Sequence, residues 1–336
     1  MNWTAVLGAL TEGEDLDTGV AHDAMATILA GEATSAQIAA FAIALRMKGE
    51  TVDELTGLLR AMVEAADPVV LDPSVDAIDT CGTGGDRSGT INISSIAAFV
   101  VAGAGVAVCK HGNRAASSQC GSADVYEALG VPIDLYPDAV ARAVTEIGMG
   151  FCFAQRFHAA LRHAGPTRKE LGVRTAFNFL GPMANPARVR RQVVGVSDPR
   201  MGERMLRVLV ANGSVRPLVV YGHDGLDELT TTTTSTLLEW VDGEVRTHEI
   251  DATAFGLARA EPEALLGGDA TVNAAAARRV LDGEAGAHRD IVVLNAGAGL
   301  LAGGRVDDLA AGVQLAQASL DDGRAAGVLE RLRSFS

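Results

Sequence analysis

The sequence predicts an α/β protein: a small all-helical N-terminal domain and a larger α/β domain with a largely parallel central sheet. Three observations predict it. Residues 1 to about 70 place their apolar side chains at helical spacing, with few strand signals. From residue 75 onward, short apolar runs alternate with helical stretches, the pattern of a parallel sheet with crossover helices. A Gly-rich turn then follows the first of those runs, where sheets of this kind collect ligands. With 336 residues and 48% hydrophobic content, the chain has core enough for one large domain or two unequal ones.

In chain order, Ala21, Met25, Ile28 and Leu29 keep helical spacing before Gly31, and Ile38, Phe41, Ala42 and Leu45 repeat it before Gly49. Each glycine stands where a C-terminal cap is expected. Thr51 and Glu54 form a capping box ahead of Leu55, Leu58, Leu59, Met62 and Val63, and Pro68 stops the run. These stripes predict a small helical domain or a subunit interface. Candidate strands follow at 77–79, 106–109, 151–153, 192–196 and 218–221. The threonine run 230–234 reads as a strand or a strand end. From Thr271 the chain is Ala-rich and helical, closing on Arg331 and Arg333.

A net charge of −14 repels nucleic acid and anionic membrane, so an anionic partner must be captured locally. Cys81, Cys109, Cys120 and Cys152 match neither a zinc spacing nor a dithiol motif. They read as buried or incidental thiols in a reducing compartment. The N-terminus lacks the basic flank and apolar core of a signal peptide, and the longest apolar run, 96–109, is too short for a bilayer. A soluble cytoplasmic protein is expected.

The stretch 79–122 reads as an anion cradle. Gly82, Gly84 and Gly85 expose backbone N–H groups, and Asn92, Ser94 and Ser95 precede a helix expected to start near Ile96. Lys110, His111, Gly112, Asn113 and Arg114 follow the next strand and add charge. The turn fits neither the P-loop nor the dinucleotide fingerprint. Glycines also make ordinary tight turns, and the hydroxyls could be plain N-caps, but convergent donors make phosphate or pyrophosphate the natural guest. A second basic region holds Arg156, Arg162, Arg168, Lys169, Arg174, Arg188, Arg190 and Arg191 against Glu170. Most of these fit a solvated surface; one or two near the cradle would fork onto a carboxylate. Asp224 and Gly225 make a turn, while the neighbouring carboxylates of Asp227 and Glu228 repel unless a cation or base joins them. Hard oxygen ligands beside phosphates suggest Mg²⁺, by spacing alone the weaker of two readings.

Together, DTCGTGGD, NISS, KHGNRAASS with GSAD after it, TRKELGVRTAFNFLGPMANP and DGLDELTTTTTST resemble the anthranilate phosphoribosyltransferases, in the same order over nearly the whole chain. The resemblance implies a helical domain of residues 1–70, joined by a helical segment at about 158–186, packed on a catalytic domain of 71–336. It also implies a homodimer through the helical domains and a Mg²⁺-dependent transfer from 5-phosphoribosyl-1-pyrophosphate to anthranilate in tryptophan biosynthesis. Residue by residue, it places Gly82, Gly85, Asp86, Thr90, Asn92, Ile93, Ser94, Ser95 and Ser122 around the donor. Lys110, His111, Gly112, Asn113, Arg114, Ala115, Ala116, Ser117 and Ser118 continue that contact. Gly82, Asn113 and Arg168 match the anthranilate positions, and Ser94, Asp227 and Glu228 the metal positions. Lys110, Asn113 and Arg168 are the residues expected to carry catalysis, with Arg168 at a hinge against the helical domain.

The departures are small. Ser95 stands where threonine is usual and keeps the hydroxyl. His158-Ala-Ala replaces His-Pro-Ala, and GPMANP replaces GPLTNP, both near the acceptor channel. A transferase for a substituted anthranilate therefore stays open. So do a pyrimidine-nucleoside phosphorylase-like enzyme and, from another class, a non-catalytic nucleic-acid-binding relative, against which the −14 charge argues.

Overall fold

A computed structural model of the chain describes residues 1–115 and 119–335. Four helices come first: α1 (Trp3–Thr11), α2 (Thr18–Leu29), α3 (Ser35–Lys48) and α4 (Val52–Glu64). Their ends follow local chemistry. Thr34 and Thr51 make capping boxes with Gln37 and Glu54, and Gly31 and Gly49 take the positive φ that ends α2 and α3.

The α/β part opens with β1 (Ile78–Gly82), α5 (Ile93–Gly103), β2 (Val108–Gly112), α6 (Ser122–Leu129), α7 (Pro137–Ile147) and β3 (Met149–Phe153). Short helices α8 (Ala154–Phe157), α9 (Gly165–Leu171) and α10 (Ala176–Met183) follow, then β4 (Arg191–Gly195), α11 (Pro199–Ala211) and β5 (Arg216–Gly222). A hairpin of β6 (Thr234–Val241) and β7 (Glu244–Asp251) leads into α12 (Ala270–Leu281), α13 (Ala287–Ala302), α14 (Leu309–Asp321) and α15 (Arg324–Arg333).

The seven strands form one sheet in the order β3-β2-β1-β4-β5-β6-β7. β1 to β5 are parallel, and β6 and β7 are antiparallel to their neighbours. All five strand candidates lie in the parallel part. The hairpin was missed: β7 is mostly polar and exposed, so no apolar run marks it, and Leu237, Leu238, Trp240 and Val241 of β6, just after the threonine run, were not read as a strand. Of the threonine run, only Thr234 enters a strand; residues 230–233 form the loop before β6.

Two cores flank the sheet. One buries α5 and the C-terminal helices: Ile96, Phe99, Val100, Ile291, Val293 and Leu294 are fully enclosed. The other joins Met25, Ile28, Phe41 and Leu58 of the first four helices to Ala164, Phe177, Leu180, Met205 and Val219. A single apolar core thus ties residues near 164–184 to α1–α4 and to one face of the sheet. Among the described residues, no helix is long and apolar enough to cross a membrane.

Candidate active site

The site lies at the carboxyl ends of β1, β2, β4 and β5. After β5 the chain turns through Asp224 and Gly225 and lays Asp227 back over β1 and β4. Gly84 N–H donates to Asp227 Oδ2 at 2.6 Å. This approach demands glycine at two strand ends: a Cβ on Gly82 would collide with the Asp227 carboxylate, and one on Gly195 with its backbone carbonyl. Next to it, Glu228 Oε1 accepts from Ser94 N–H at 3.1 Å, so a carboxylate 134 residues away satisfies the first turn of α5. The sequence reading put the helix start near Ile96 with hydroxyl caps. Instead α5 begins at Ile93, and the Asn92 side chain makes no cap bond. That amide is used elsewhere: Asn92 Nδ2 donates to Cys120 O at 3.0 Å.

Burial pushes the Asp227 carboxyl up to about 6, with Asp86 adding repulsion, and pushes Glu228 up to about 8, with Asp227 adding repulsion. Two enclosed, mutually repelling carboxylates beside a Gly loop fit a hard divalent cation, whose charge would restore both to the ionised form. Among the described residues, no group of three or more His, Cys, Asp or Glu could hold a metal ion alone. The remaining oxygens must come from solvent or ligand, as Mg²⁺ commonly arranges. Asn295, on α13, pairs with both the N–H and the C=O of Leu229 at 2.9 and 2.8 Å and so fixes the residue following the pair.

Lys110 is not an open point charge. It is 1% exposed, and its Nζ donates to Thr80 O. Asp79 lies enclosed directly behind the cradle. Asp79 accepts from His111 N–H at 3.1 Å and from Asn185 Nδ2 at 2.9 Å, and burial raises its carboxyl while Lys110 lowers it. Lys110 therefore sits in a buried network between Asp79 and Glu228, both of which feel its charge. Asp86 Oδ2 accepts from Ser88 Oγ at 2.7 Å, and Ser88 Oγ lies 3.3 Å from Thr90 Oγ1, which orders the exit of the Gly loop.

Arg114 faces α6 rather than the cradle, bonded to Asp124 at 2.8 Å and Glu127 at 2.9 Å. Asp124 Oδ2 also accepts from Ala115 N–H and Gly121 N–H, both at 2.9 Å, so one carboxylate fastens the two ends of the intervening loop. The calls on Ala116, Ser117 and Ser118 lie outside the described residues. Asn113 O accepts from Ser122 Oγ at 3.3 Å, and its Oδ1 accepts from Arg114 N–H at 2.8 Å. Ser95 is buried, and its backbone carbonyl accepts from the Tyr126 hydroxyl at 2.9 Å.

The Arg168 guanidinium stacks on Phe177 at 5.1 Å and has no hydrogen-bond or ion-pair partner among the described residues. Burial lowers its pKa, since desolvation disfavours the charged form. Its helix, α9, packs into the helical core. Arg174 was read only as one of many arginines. The structure instead bonds its Nη1 to Gly84 O at 2.8 Å and Ser197 Oγ at 2.9 Å, behind the Gly loop. Nothing in the local sequence distinguishes it from its neighbours. The His111 and His158 rings meet at a tilt of 53° with centroids 5.0 Å apart, and burial lowers both below the usual imidazole value.

Comparison with known proteins agrees with this geometry. Residues 4–66 match the model of the glycosyl transferase family helical bundle domain, and 74–326 that of the same family's a/b domain. The anthranilate phosphoribosyltransferase of Rhodococcus jostii is 53% identical over 335 residues, covering 98% of this chain and 92% of that protein. The crystal structure of the enzyme of that name from Thermus thermophilus superposes with a TM-score of 0.93 at 44% identity, covering 98% of both chains. The Saccharomyces cerevisiae enzyme, in complex with PRPP and Mg, superposes at 0.90 with 26% identity, covering 98% of this chain and 96% of that one. By sequence, domain order and fold, the chain belongs to the anthranilate phosphoribosyltransferase family.

Proposed function

We propose that the protein transfers the phosphoribosyl group of 5-phosphoribosyl-1-pyrophosphate to the amine of anthranilate, giving N-(5-phosphoribosyl)anthranilate and pyrophosphate in tryptophan biosynthesis. One observation carries the reading. The Gly loop, the first turn of α5 and the Asp227/Glu228 pair converge at the strand ends, and Arg168 holds an unpaired guanidinium on a stacked ring.

Breaking the bond from C1 to pyrophosphate leaves positive charge on the ribose and sends an electron pair to the leaving oxygen. The backbone N–H groups that Asp227 and Glu228 leave open, at Gly85 and Asp86 of the Gly loop and at Ser95 in the first turn of α5, meet that negative charge, already oriented before the reaction. A divalent ion held by Asp227 and Glu228, with Ser94 beside them, would neutralise phosphate charge; Mg²⁺ fits these oxygen donors. Lys110 acts from below, its buried charge favouring the ionised form of Glu228. Arg168 takes the acceptor's carboxylate as a two-pronged donor, with Asn113 opposite, so the ortho amine faces C1. An aryl amine has a free lone pair at neutral pH and needs no strong base to attack. The neutral His111 and His158 fit a site that works by position rather than proton abstraction.

We place the enzyme in the cytoplasm, which the buried thiols of Cys81, Cys109 and Cys152 suit, and assign it a homodimer through the helical domain. The outer face of α3 supports the dimer: Ala36, Ala40 and Met47 are exposed there, Met47 at 83%. Anthranilate fluorescence followed with and without donor and Mg²⁺ tests the reaction. Loss of signal only when all components are present supports it. Turnover of a pyrimidine nucleoside with phosphate instead would replace it.

A further inference from the structure

Residues 265–273 carry none of the motifs that identify the site and lie about 180 positions from the cradle, yet they form part of its wall. Thr90 and Leu266 make an antiparallel bridge. Ile91 N–H donates to Leu265 O at 3.1 Å, and Gly267 N–H donates to Gly89 O at 2.8 Å. The far end of the Gly loop is thus paired with this segment as a short strand would be. Gly267 must be glycine, since a Cβ there would collide with Asn273 Oδ1 and press on Thr90 O and Ile91 N.

Asn273, on α12, is 1% exposed and satisfied at both ends of its amide. Its Oδ1 accepts from Gly268 N–H at 2.8 Å, so its Nδ2 must point the other way, where it donates to Asn92 Oδ1 at 2.8 Å. That bond in turn fixes the Asn92 amide: oxygen toward α12, nitrogen toward Cys120 O at 3.0 Å. The direction of every donor in the relay is set by Gly268, a backbone N–H that cannot be reversed. The relay spans three walls of the donor site: the segment before α12, the N-cap of α5 and the backbone at Cys120 ahead of α6.

We propose that Asn273 is a positioning residue for the phosphoribosyl donor, acting through Asn92 to hold the backbone at Cys120, just ahead of α6, against the N-terminus of α5. The inference rests on the donor site assigned above. Its physical content is directional. Asn273→Asp keeps shape and volume but turns the Nδ2 donor into an acceptor facing Asn92 Oδ1. Flipping Asn92 moves the conflict to Cys120 O without removing it, since two oxygens then face each other there.

The test is a double-substitution cycle on the full-length enzyme. Asn273→Asp and Asn273→Ala should each raise the KM for 5-phosphoribosyl-1-pyrophosphate by about tenfold, the size of one lost buried hydrogen bond, and leave the KM for anthranilate within about threefold. In an Asn92→Ala background the same changes should add little, because the relay is already cut. Equal effects on both KM values, or full multiplication of the two substitutions, overturns the proposal. Should the variants fail to fold, hydrogen exchange on the wild-type protein decides. Donor with Mg²⁺ should slow exchange of the Gly267 and Gly268 amides, and unchanged exchange at saturating donor overturns the relay. Wild-type enzyme that never consumes anthranilate would instead defeat the donor-site assignment itself.

Discussion

Gly195 is the position at which one methyl group tests the geometry of the site. A Cβ built there stands 1.6 Å from the Asp227 carbonyl oxygen and 2.6 Å from its carbonyl carbon. Ordinary van der Waals contact begins at 3.4 Å, so the Asp227 backbone must retreat by about 1.8 Å in Gly195→Ala. Retreat pulls the carboxylate off Gly84 N–H, now 2.6 Å away, and drags Glu228 from Ser94 N–H. Losing those charge-assisted bonds costs about 1.5–3 kcal/mol each, and a misplacement of about 1 Å at a reacting centre costs about 100-fold in rate. We therefore expect kcat/KM for the donor to fall about 100-fold, with a higher Mg²⁺ concentration needed for half-maximal rate. The assay is steady-state loss of anthranilate fluorescence across a Mg²⁺ titration, with thermal unfolding as the control for folding. A folded Gly195→Ala enzyme within about threefold of wild type at the same Mg²⁺ optimum would refute the argument that close approach of Asp227 makes the site.

Three further outcomes follow from the same structure. Arg168→Ala should raise the KM for anthranilate far more than that for the donor, because its guanidinium has no hydrogen-bond or ion-pair partner to lose among the described residues; equal effects count against the anchor role. Asp227→Asn with Glu228→Gln should flatten the metal titration, and an unchanged Mg²⁺ requirement sinks the metal assignment. His158 is kept neutral by burial, its pKa lowered from 6.5, and bonds to Ala184 O at 2.8 Å. Unfolding frees it to take a proton, so its contribution to stability is present above about pH 6.5 and is lost as pH falls toward the folded value, by up to about 1.4 kcal/mol per pH unit. His158→Gln should show a shallower acid-side loss in urea unfolding between pH 7.5 and 5.5. Parallel slopes for the two proteins would contradict this reading.

Local chemistry made much of the architecture legible. The capping boxes at Thr34 and Thr51 and the stops at Gly31 and Gly49 are written within a few residues of the ends they set. The five parallel strands, buried on both faces, show as apolar runs. Strand β7 does not, because an exposed edge strand has no apolar signature. The motif residues Gly82, Ser94, Asp227 and Glu228 could be picked out singly, and the structure brings them into one place. Lys110 and Arg114 could not be judged that way, since whether a basic side chain faces ligand, core or a neighbouring acid depends on what folds beside it.

What the sequence determined by itself is therefore the element types, the family and the kinds of side chain that gather at the strand ends. These depend on periodicity, turn residues and motif order, all short-range or read directly. Only the tertiary structure decided which groups hold those side chains still. Glu228 caps a helix 134 residues away, Arg174 rather than its neighbours braces the Gly loop, and Asn273 aims Asn92 across 181 positions. Hydrogen bonds of this kind join backbone and side-chain groups whose partners are chosen by the packed sheet and its helices. No local pattern encodes them, because each is satisfied only once the distant segments have come together.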